Sequence, residues 1–267
     1  RPAGGPEPLN PHLSPSQIRT YLTCEEQYRR VYLQGERSRP NLNMIIGTAA
    51  SRAAEKNFRH KLLTEQDLPV ADVKDAAATA FNEAVEEDGG EAEIDWQDVK
   101  PGEAKDTAVR VAEAYRLQAA PQVVPVAVEQ EILFEVEDCP PVIGYIDVVR
   151  EQDGIDRKTS DKLKRKIEPW WRPQGLLYGA ALGKPVGFHV TTKAKQPTVT
   201  VADNEPDLLV ELNVGAATML VAGVAGSLRS NLERVGPDDP WPVTGLVHTW
   251  ACKLCQFRED GCPAWAR

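Results

Sequence analysis

The amino-acid sequence predicts an α/β fold with a mixed central sheet and an N-terminal helical part. Helical spacing of apolar residues dominates residues 12–120, whereas strand-like runs alternate with helical runs over residues 121–235. With 267 residues, 42% of them hydrophobic, the chain can bury one large core, and we predict a single domain over residues 12–267. Residues 1–11 are rich in Pro and Gly and are predicted to form a flexible arm; residues 236–267 are predicted to form a cysteine-containing tail.

Helices are predicted throughout the first part of the chain. The first has a strong start signal, because Ser14 can cap it, Pro15 suits the first helical position and Gln17 completes a capping box. This helix is predicted to run to Tyr32, which places Cys24 in its second or third turn. The following helices are predicted at residues 48–63, 71–87 and 103–119.

Strand signals begin after residue 120. An extended segment is predicted at residues 123–136, and strands at 142–150 and 155–158 are predicted to form a β-hairpin around Gly154. A helix then begins at Pro173. The later elements are predicted as strands at 186–192 and 198–201, a long helix at 206–234 and an irregular segment from Trp241.

The net charge of −9 is concentrated in one part of the chain. Residues 71–106 carry twelve acidic and three basic side chains, whereas residues 154–166 carry six basic and two acidic ones. Local patches decide whether a phosphate backbone is attracted, so the acidic total does not exclude a nucleic-acid substrate.

Neither a membrane span nor a signal peptide is expected. No run of about eighteen apolar residues occurs, and the N-terminal residues lack a basic stretch followed by an apolar one. A cytoplasmic location is therefore predicted. Thiols are kept reduced in that compartment, so clustered cysteines there more often bind metal than form disulfides.

Asp147, Asp156 and Lys158 form the pattern that carries the chemistry. The carboxylates come from neighbouring predicted strands, and alternation along a strand puts Asp156 and Lys158 on the same side. Carboxylate oxygens suit Mg²⁺ or Mn²⁺, a bound ion lowers the pKa of its water, and an ammonium offsets charge developing on a phosphate. The alternative is that the carboxylates end a hairpin and that Lys158 is a solvated surface charge.

A glutamine and a tyrosine one helical turn apart extend this pattern. Gln174 and Tyr178 are spaced i and i+4 and share one face of the predicted helix. In order, the motifs G-x-x-D, D-x-K-T and Q-x-x-x-Y resemble the RecB-type branch of the PD-(D/E)xK nucleases, over roughly residues 13–265. The resemblance implies a restriction-endonuclease-like core.

The resemblance also implies roles for individual residues. Lys158 would position water or stabilise phosphate charge, and Gln174 and Tyr178 would orient Lys158 and the strand being cut. The implied ligands of Mg²⁺ or Mn²⁺ are Asp147, Asp156 and the backbone carbonyl of Arg157. Further candidate ligands are Glu55, Glu129 and Ser51; for Glu129 the alternative is an exposed charge at a strand end.

The cysteines fall at the two ends of the chain. One precedes the predicted core, and a C-x2-C-x6-C pattern follows it. This arrangement resembles the iron–sulfur subgroup of these nucleases, which includes the AddB nuclease domain, CRISPR-associated adaptation nucleases, and phage and mitochondrial single-strand DNA exonucleases. The resemblance implies a [4Fe–4S] cluster that joins the tail to the N-terminal helix, with ligands Cys24, Cys252, Cys255 and Cys262. Four thiolates suit a structural zinc ion equally well, and Cys139 matches nothing in the pattern.

One motif departs from that family. Its helix motif G-x-x-x-H-x-x-x-E carries a metal-binding His, and the matching stretch from Gly47 to Glu55 has Ser51 at the His position. A hydroxyl is a weak ligand. Either the Asp ligands suffice with water, or Glu55 compensates, or the enzyme is weakened or inactive.

Basic and aromatic residues near the motif are candidate DNA contacts. They are Lys162, Lys164, Arg165 and Lys166 for the backbone, and Trp170 and Trp171 for stacking on unpaired bases. The alternatives are a solvated loop for the bases and core packing for the Trp pair. Lys193 and Lys195 are a weaker case of the same kind.

Together these features predict a metal-dependent deoxyribonuclease, an exonuclease on single-stranded DNA or DNA ends. The alternatives are a weakened or silent DNA-end-binding protein and a subunit of a larger DNA-processing complex, such as one for repair, recombination or CRISPR adaptation. The chain contains no Walker-type G-x-x-x-x-G-K-[ST] motif, so it is not itself expected to be a motor.

Overall fold

The structure is a computed structural model that describes residues 11–36, 39–243, 250–253, 255–258 and 262. The chain divides into two compact units. The first comprises Arg1–Ser38, Ile132–Gly144 and Asn213–Arg267, and the second comprises Arg39–Glu131 and Tyr145–Leu212. Except for Pro11, the predicted N-terminal arm lies outside the described residues, as does much of the tail.

Helices and strands alternate in the predicted α/β manner, and the predicted fold class is confirmed. The helices are α1 (Pro15–Thr23), α2 (Glu25–Tyr28), α3 (Leu42–Thr64), α4 (Val70–Glu87), α5 (Pro101–Gln118), α6 (Arg172–Leu182), α7 (Val214–Arg234) and α8 (Trp250–Lys253). The strands are β1 (Ala127–Phe134), β2 (Val142–Val149), β3 (Gly154–Ser160), β4 (Val186–Thr192), β5 (Val199–Thr200) and β6 (Leu209–Val210). A π-helical turn covers Arg29–Leu33, and short 3-10 turns cover Glu91–Glu93, Ala120–Gln122 and Pro206–Leu208.

Over the described residues the strands form one mixed six-stranded sheet in the order β1-β2-β3-β4-β5, with β6 also paired to β4. The predicted hairpin is present, because β2 and β3 are antiparallel and Val149 pairs with Gly154. β3 and β4 run parallel, whereas β5 and β6 pair antiparallel with β4. All seven residues of β4 are buried, since this strand has partners on both edges and helices against it.

The helical part of the second unit is a three-helix packing of α3, α4 and α5. Alanines occupy its contact surfaces, including the fully buried Ala49, Ala77 and Ala108, and small side chains let helix axes approach closely. The side chain of Asn41 accepts from the backbone N–H groups of Asn43 and Met44, so α3 begins at Leu42 rather than at the predicted residue 48.

Two predicted helices are wrong in their boundaries. The first helix ends at Cys24, which has an extended backbone (φ −163°, ψ 119°) and therefore does not lie within a helical turn. The long C-terminal helix does not begin at Pro206: Leu209 and Val210 pair with β4 first, and Asn213 then caps α7. Strand pairing available only in the folded chain overrides the local helical pattern there.

The first unit ties the start of the tail to the N-terminal helices through buried polar groups. Glu26 and Arg29 form an ion pair of 2.7 Å with both side chains less than a tenth exposed. The Arg29 guanidinium donates to the carbonyl oxygen of Pro237 at 3.0 Å, and the Trp241 backbone N–H donates to Glu26 at 2.8 Å. The Trp241 ring also stacks near Tyr28, with ring centroids 6.4 Å apart.

No helix in the part of the chain that the structure describes is both long and apolar enough to cross a membrane.

Candidate active site

The β2–β3 hairpin places the two predicted carboxylates on adjacent strands. Val148 pairs with Ile155, and Asp147 and Asp156 occupy the next position along the two strands. The Asp147 Oδ2 atom accepts a hydrogen bond of 2.5 Å from the backbone N–H of Arg157. Asp147 is thereby fixed by the strand that carries Asp156.

Asp156 lies buried between like and unlike charges. Its side chain is 5% exposed, and the Lys158 ammonium lies 2.6 Å from Oδ1. Within the described residues this oxygen has no hydrogen bond of regular geometry, so the contact is a close ion pair without hydrogen-bond alignment. Burial raises the pKa of Asp156 to about 6; Lys158 opposes the rise and the charge on Asp147 adds to it. A carboxyl group in this environment gains from a bound cation.

Lys158 is held by side chains of α6. Its Nζ donates to Gln174 Oε1 at 2.8 Å, and Gln174 Nε2 donates to the Tyr178 hydroxyl at 3.0 Å. Burial, aided by nearby carboxylates, raises the pKa of Tyr178, so its hydroxyl stays protonated at neutral pH. Gly175 permits this approach of α6, because a Cβ there would lie 2.7 Å from Val210 Cγ2. The structure thus brings Lys158 together with Gln174 and Tyr178, the two residues whose i and i+4 spacing predicts a shared helix face.

Arg157, the variable residue of the D-x-K motif, directs its side chain to α3. Its Nη1 donates to the Ser51 carbonyl oxygen at 3.2 Å and its Nη2 to Ser51 Oγ at 3.1 Å. Asp147 Oδ2 lies 3.4 Å from Nε, and Glu129 Oε1 lies 3.7 Å from Nη2. Burial would lower the pKa of Arg157, but the surrounding carboxylates outweigh burial and raise it. A permanent positive charge therefore lies among the candidate ligands.

Glu129 combines an unusual backbone with a perturbed carboxyl group. Its φ of 48° is in the left-handed region that non-glycine residues rarely adopt. Burial raises its pKa to about 7, with the Asp147 charge adding to the rise and Arg157 opposing it. Glu55 contributes to the same rise while it pairs with Arg59 at 2.7 Å. Backbone strain and shifted pKa values are both more frequent at functional sites than elsewhere, and Glu129 has both features.

Two residues that the sequence analysis did not single out pack beside Arg157. His189 of β4 is the register partner of Arg157, and its Nδ1 lies 3.0 Å from the Tyr115 hydroxyl. Burial and the nearby Arg150 charge lower the pKa of His189 to about 3, so the ring is neutral. The guanidinium carbon of Arg157 lies 5.8 Å from the centre of the Tyr115 ring. A lone histidine within an otherwise apolar strand was the one sequence signal that could have indicated His189.

A cavity of about 250 Å³ opens beside these residues. Its polar lining comes from Ser51, Tyr115, Arg157, Lys158, Thr159 and Thr191. The remaining walls are small or aromatic side chains of α3, α5 and the segment before α6. Two basic residues and four hydroxyl-bearing residues therefore border one open cavity.

The basic run after β3 is interleaved with acidic partners. The ion pairs are Lys164 with Glu168, Arg165 with Glu205 at 2.7 Å, and Lys166 with Asp207 at 3.4 Å. Arg165 and Lys166 are 66% and 82% exposed, and ion pairs this exposed are weak enough for phosphate to compete. Lys162 is exposed in the same loop.

The tryptophan pair and the second basic pair have different surroundings. Trp171 is buried and stacks on Phe188 with ring centroids 5.6 Å apart, and Trp170 packs partly buried against the same cluster. This is the core-packing alternative, although Trp171 also reaches the cavity wall. Lys193 pairs with Asp161 at 2.8 Å, and Lys195 is exposed.

The donor set suits a divalent ion, although it is not preassembled around one. Across the described ranges, no three Asp, Glu, His or Cys side chains are arranged to hold a single metal ion. The carboxylates of Glu129, Asp147 and Asp156 nevertheless act on one another, and two of their pKa values are raised. A hard cation such as Mg²⁺ or Mn²⁺ would relieve that repulsion.

The four candidate cluster cysteines all belong to the first unit. Burial raises the pKa of Cys255, and Cys24, Cys262 and Cys252 add to the rise. Within the described residues, no three of these thiols are arranged to hold a metal ion. Within the described residues these four cysteines and Cys139 form no disulfide, and all five are partly buried.

Comparison with known proteins identifies the family. The sequence profile of the PD-(D/E)XK nuclease superfamily matches residues 12–259. The chain belongs to the PD-(D/E)XK nuclease superfamily. The matched range contains the whole D-x-K constellation, and superfamily nucleases generally use Mg²⁺ or Mn²⁺.

Solved structures agree at the level of the fold. A "Putative exonuclease" from Eubacterium rectale superposes with a TM-score of 0.55 at 12% identity, covering 94% of this chain and 88% of that chain. A second structure, that of SSO0001, has a TM-score of 0.36 at 11% identity, covering 94% of this chain and 96% of that chain, and supports no conclusion. No curated protein matches this superfamily member.

Proposed function

We propose that this chain is a metal-dependent DNA nuclease, an exonuclease that hydrolyses phosphodiester bonds in single-stranded DNA or at DNA ends. The observation that carries the proposal is the grouping of Asp147, Asp156 and Lys158, with the ammonium 2.6 Å from Asp156. Membership of the superfamily supports nuclease chemistry with DNA as the substrate. The name of the Eubacterium rectale protein agrees with an exonuclease.

In this proposal the acidic residues bind the metal ion and the lysine stabilises charge on the phosphate. Asp147, Asp156 and the Arg157 carbonyl would hold Mg²⁺ or Mn²⁺, which polarises a phosphate and lowers the pKa of bound water. With its pKa at about 6, Asp156 is ionised above neutral pH and available as a ligand. Lys158 keeps a positive charge beside that carboxylate, where it can stabilise charge developing on a phosphate oxygen. Gln174 holds the ammonium through its 2.8 Å hydrogen bond, so α6 fixes the position of Lys158.

The size and lining of the cavity support an unpaired substrate. About 250 Å³ is too small for a base-paired duplex, whereas an unpaired terminal nucleotide is of a suitable scale. Arg157 and Lys158 in the lining favour an anionic occupant. The exposed bases Lys162, Arg165 and Lys166 would guide the phosphate backbone outside it.

We also propose that four thiols of the first unit bind a [4Fe–4S] cluster, as the family resemblance implies. The ligands would be Cys24, Cys252, Cys255 and Cys262, and the cluster would join the tail to the N-terminal segment. The effect of the other three thiols on the pKa of Cys255 supports the proposal, and structural zinc is the chemical alternative. The reducing cytoplasm would keep the thiols available.

A silent DNA-end binder or a subunit of a larger complex is the second candidate. Ser51 stands where the family has a metal-binding His, and Arg157 places a fixed charge beside Asp147 and Glu129. Either feature could weaken metal binding. Binding without cleavage would favour this candidate.

The test is cleavage of single-stranded DNA, labelled at either the 5′ or the 3′ end, in Mg²⁺ or Mn²⁺. We expect Asp156→Ala to lose at least about a thousandfold in rate, because a metal ligand is removed. Asp161→Ala is the matched control. The Asp161 side chain is 80% exposed on the loop after β3, so this variant should cleave DNA at the wild-type rate. If the wild-type protein binds the DNA in Mn²⁺ but never cuts it, the proposed nuclease activity is refuted and the DNA-end-binding function is favoured.

A further inference from the structure

The Arg157 side chain is held by hydrogen bonds to a residue of α3, not by its own strand. The backbone oxygen and the hydroxyl of Ser51 accept from two different nitrogens of the guanidinium, at 3.2 and 3.1 Å. The Arg157 side chain is 8% exposed, and the Tyr115 ring lies on one side of it. A short hydroxyl side chain on α3 therefore fixes where the positive charge stands.

That position is between two carboxylates of the site. Asp147 Oδ2 is 3.4 Å from Nε and Glu129 Oε1 is 3.7 Å from Nη2, both longer than a good hydrogen bond. In the described residues, Nε has no hydrogen-bond partner at all. The guanidinium therefore acts on these carboxylates mainly through its charge.

The two carboxylates differ in what else holds them. Asp147 already has a 2.5 Å hydrogen bond from the Arg157 backbone N–H, so it is aimed without the side chain. For Glu129, the Arg157 guanidinium is the nearest cation in the described structure, and its backbone is held at a φ of 48°. Removing the guanidinium charge would leave Glu129 without this cation while its charge still repels that of Asp147.

We propose that Arg157 is a positioning residue that serves as the resident counter-ion of the metal site. Seated on Ser51, it neutralises Glu129 and keeps that carboxylate from acting as a ligand, so that the site takes one divalent ion at Asp147 and Asp156. Ser51 then has a defined task, which is to seat Arg157. This inference rests on the proposed metal-dependent function and adds to it the residue that sets the charge of the site.

The counter-ion has a measurable consequence that a merely structural arginine would not have. A unit positive charge about 6 Å from a divalent ion, in a medium of high effective dielectric constant, weakens binding of that ion by about tenfold or more. Removing the charge should therefore tighten metal binding, whereas damage to the site would loosen it. The tightening should depend on Glu129.

The experiment is calorimetric titration of Mn²⁺ into metal-free protein at pH 8, above the pKa of about 7 of Glu129. Wild type is expected to bind one ion and Asp156→Asn to bind none. Arg157→Met is expected to bind Mn²⁺ about tenfold more tightly or to take a second ion. Arg157→Lys, which restores a charge, should return towards wild type, and so should Arg157→Met combined with Glu129→Gln. Circular dichroism checks that each variant is folded.

The outcomes separate this inference from the function on which it rests. Unchanged or weaker binding by folded Arg157→Met, with normal Asp156-dependent binding in wild type, overturns the counter-ion alone. Tighter binding that persists with Glu129→Gln also overturns it. Absence of Asp156-dependent binding in every variant overturns the proposed metal site and the counter-ion with it.

Discussion

The charge on Asp156 should make the metal-free protein less stable as pH rises. Burial gives the folded protein a pKa of about 6 at this residue, against 3.8 for an ordinary aspartate. The folded state therefore binds the proton more tightly than the unfolded chain does. That contribution to stability is complete below pH about 4 and is lost as pH rises through about 6.

The size of the effect follows from the shift. A shift of about two pKa units corresponds to roughly 3 kcal/mol. Asp156→Asn keeps the shape of the side chain and removes the charge. In a chelator at pH 8 we expect it to be more stable than wild type by up to about 3 kcal/mol, or roughly 6–12 °C in Tm. At pH 5, about midway between the two pKa values, roughly half of this difference should remain, and it should nearly vanish only below pH about 4.

The assay is thermal unfolding followed by circular dichroism at pH 5 and pH 8, with Asp153→Asn as the matched control. Asp153 is also buried, but Arg150 binds both of its oxygens, at 2.7 and 2.5 Å. Because Asp203 still pairs with Arg150, at 2.7 and 2.8 Å, losing the Asp153 charge should cost less than the roughly 3–5 kcal/mol of a buried charge left alone, and about the same at both pH values. An Asp156→Asn protein less stable than wild type at pH 8, or equally stabilised at pH 5 and pH 8, would refute the reasoning.

Two further predictions concern the ammonium and the thiols. Lys158→Met should lower the single-turnover cleavage rate by a factor of about 10²–10³, because the lost charge acts on the transition state. DNA binding, measured by fluorescence anisotropy, should change little. An equal loss of DNA affinity would contradict that role. Cys255→Ala should abolish a broad absorption band near about 400 nm in anaerobically purified protein and lower Tm, with Cys139→Ala as control. A colourless wild type containing zinc would replace the cluster with a zinc site.

Local patterns predicted the hairpin and the first members of the site because short-range rules govern both. Alternation along β3 places Asp156 and Lys158 on one side, and helical spacing joins Gln174 to Tyr178. The hairpin needs only two strand runs with a short turn, residues 150–153, between them. Neither feature depends on a distant part of the chain.

What the sequence could not provide was set by distant contacts. The turn at Pro206 looked helical, but Leu209 and Val210 found a strand partner in β4. Arg157 was predicted to contribute only its carbonyl, because nothing in its neighbourhood shows that Ser51 lies within hydrogen-bond reach. The contact between Tyr115 and His189 likewise joins a helix to a strand far along the chain.

The buried clasp of Glu26 and Arg29 changes how a metal centre would assemble in the first unit. Arg29 donates a hydrogen bond to Pro237, and Glu26 accepts one from Trp241. These contacts already offset the loss of chain entropy on bringing the N-terminal segment and the start of the tail together. The thiols would then meet as an intramolecular set, at high effective concentration, before any iron or zinc arrives. Loss of the metal in air should accordingly be a local and refillable event that leaves the two ends of the chain joined.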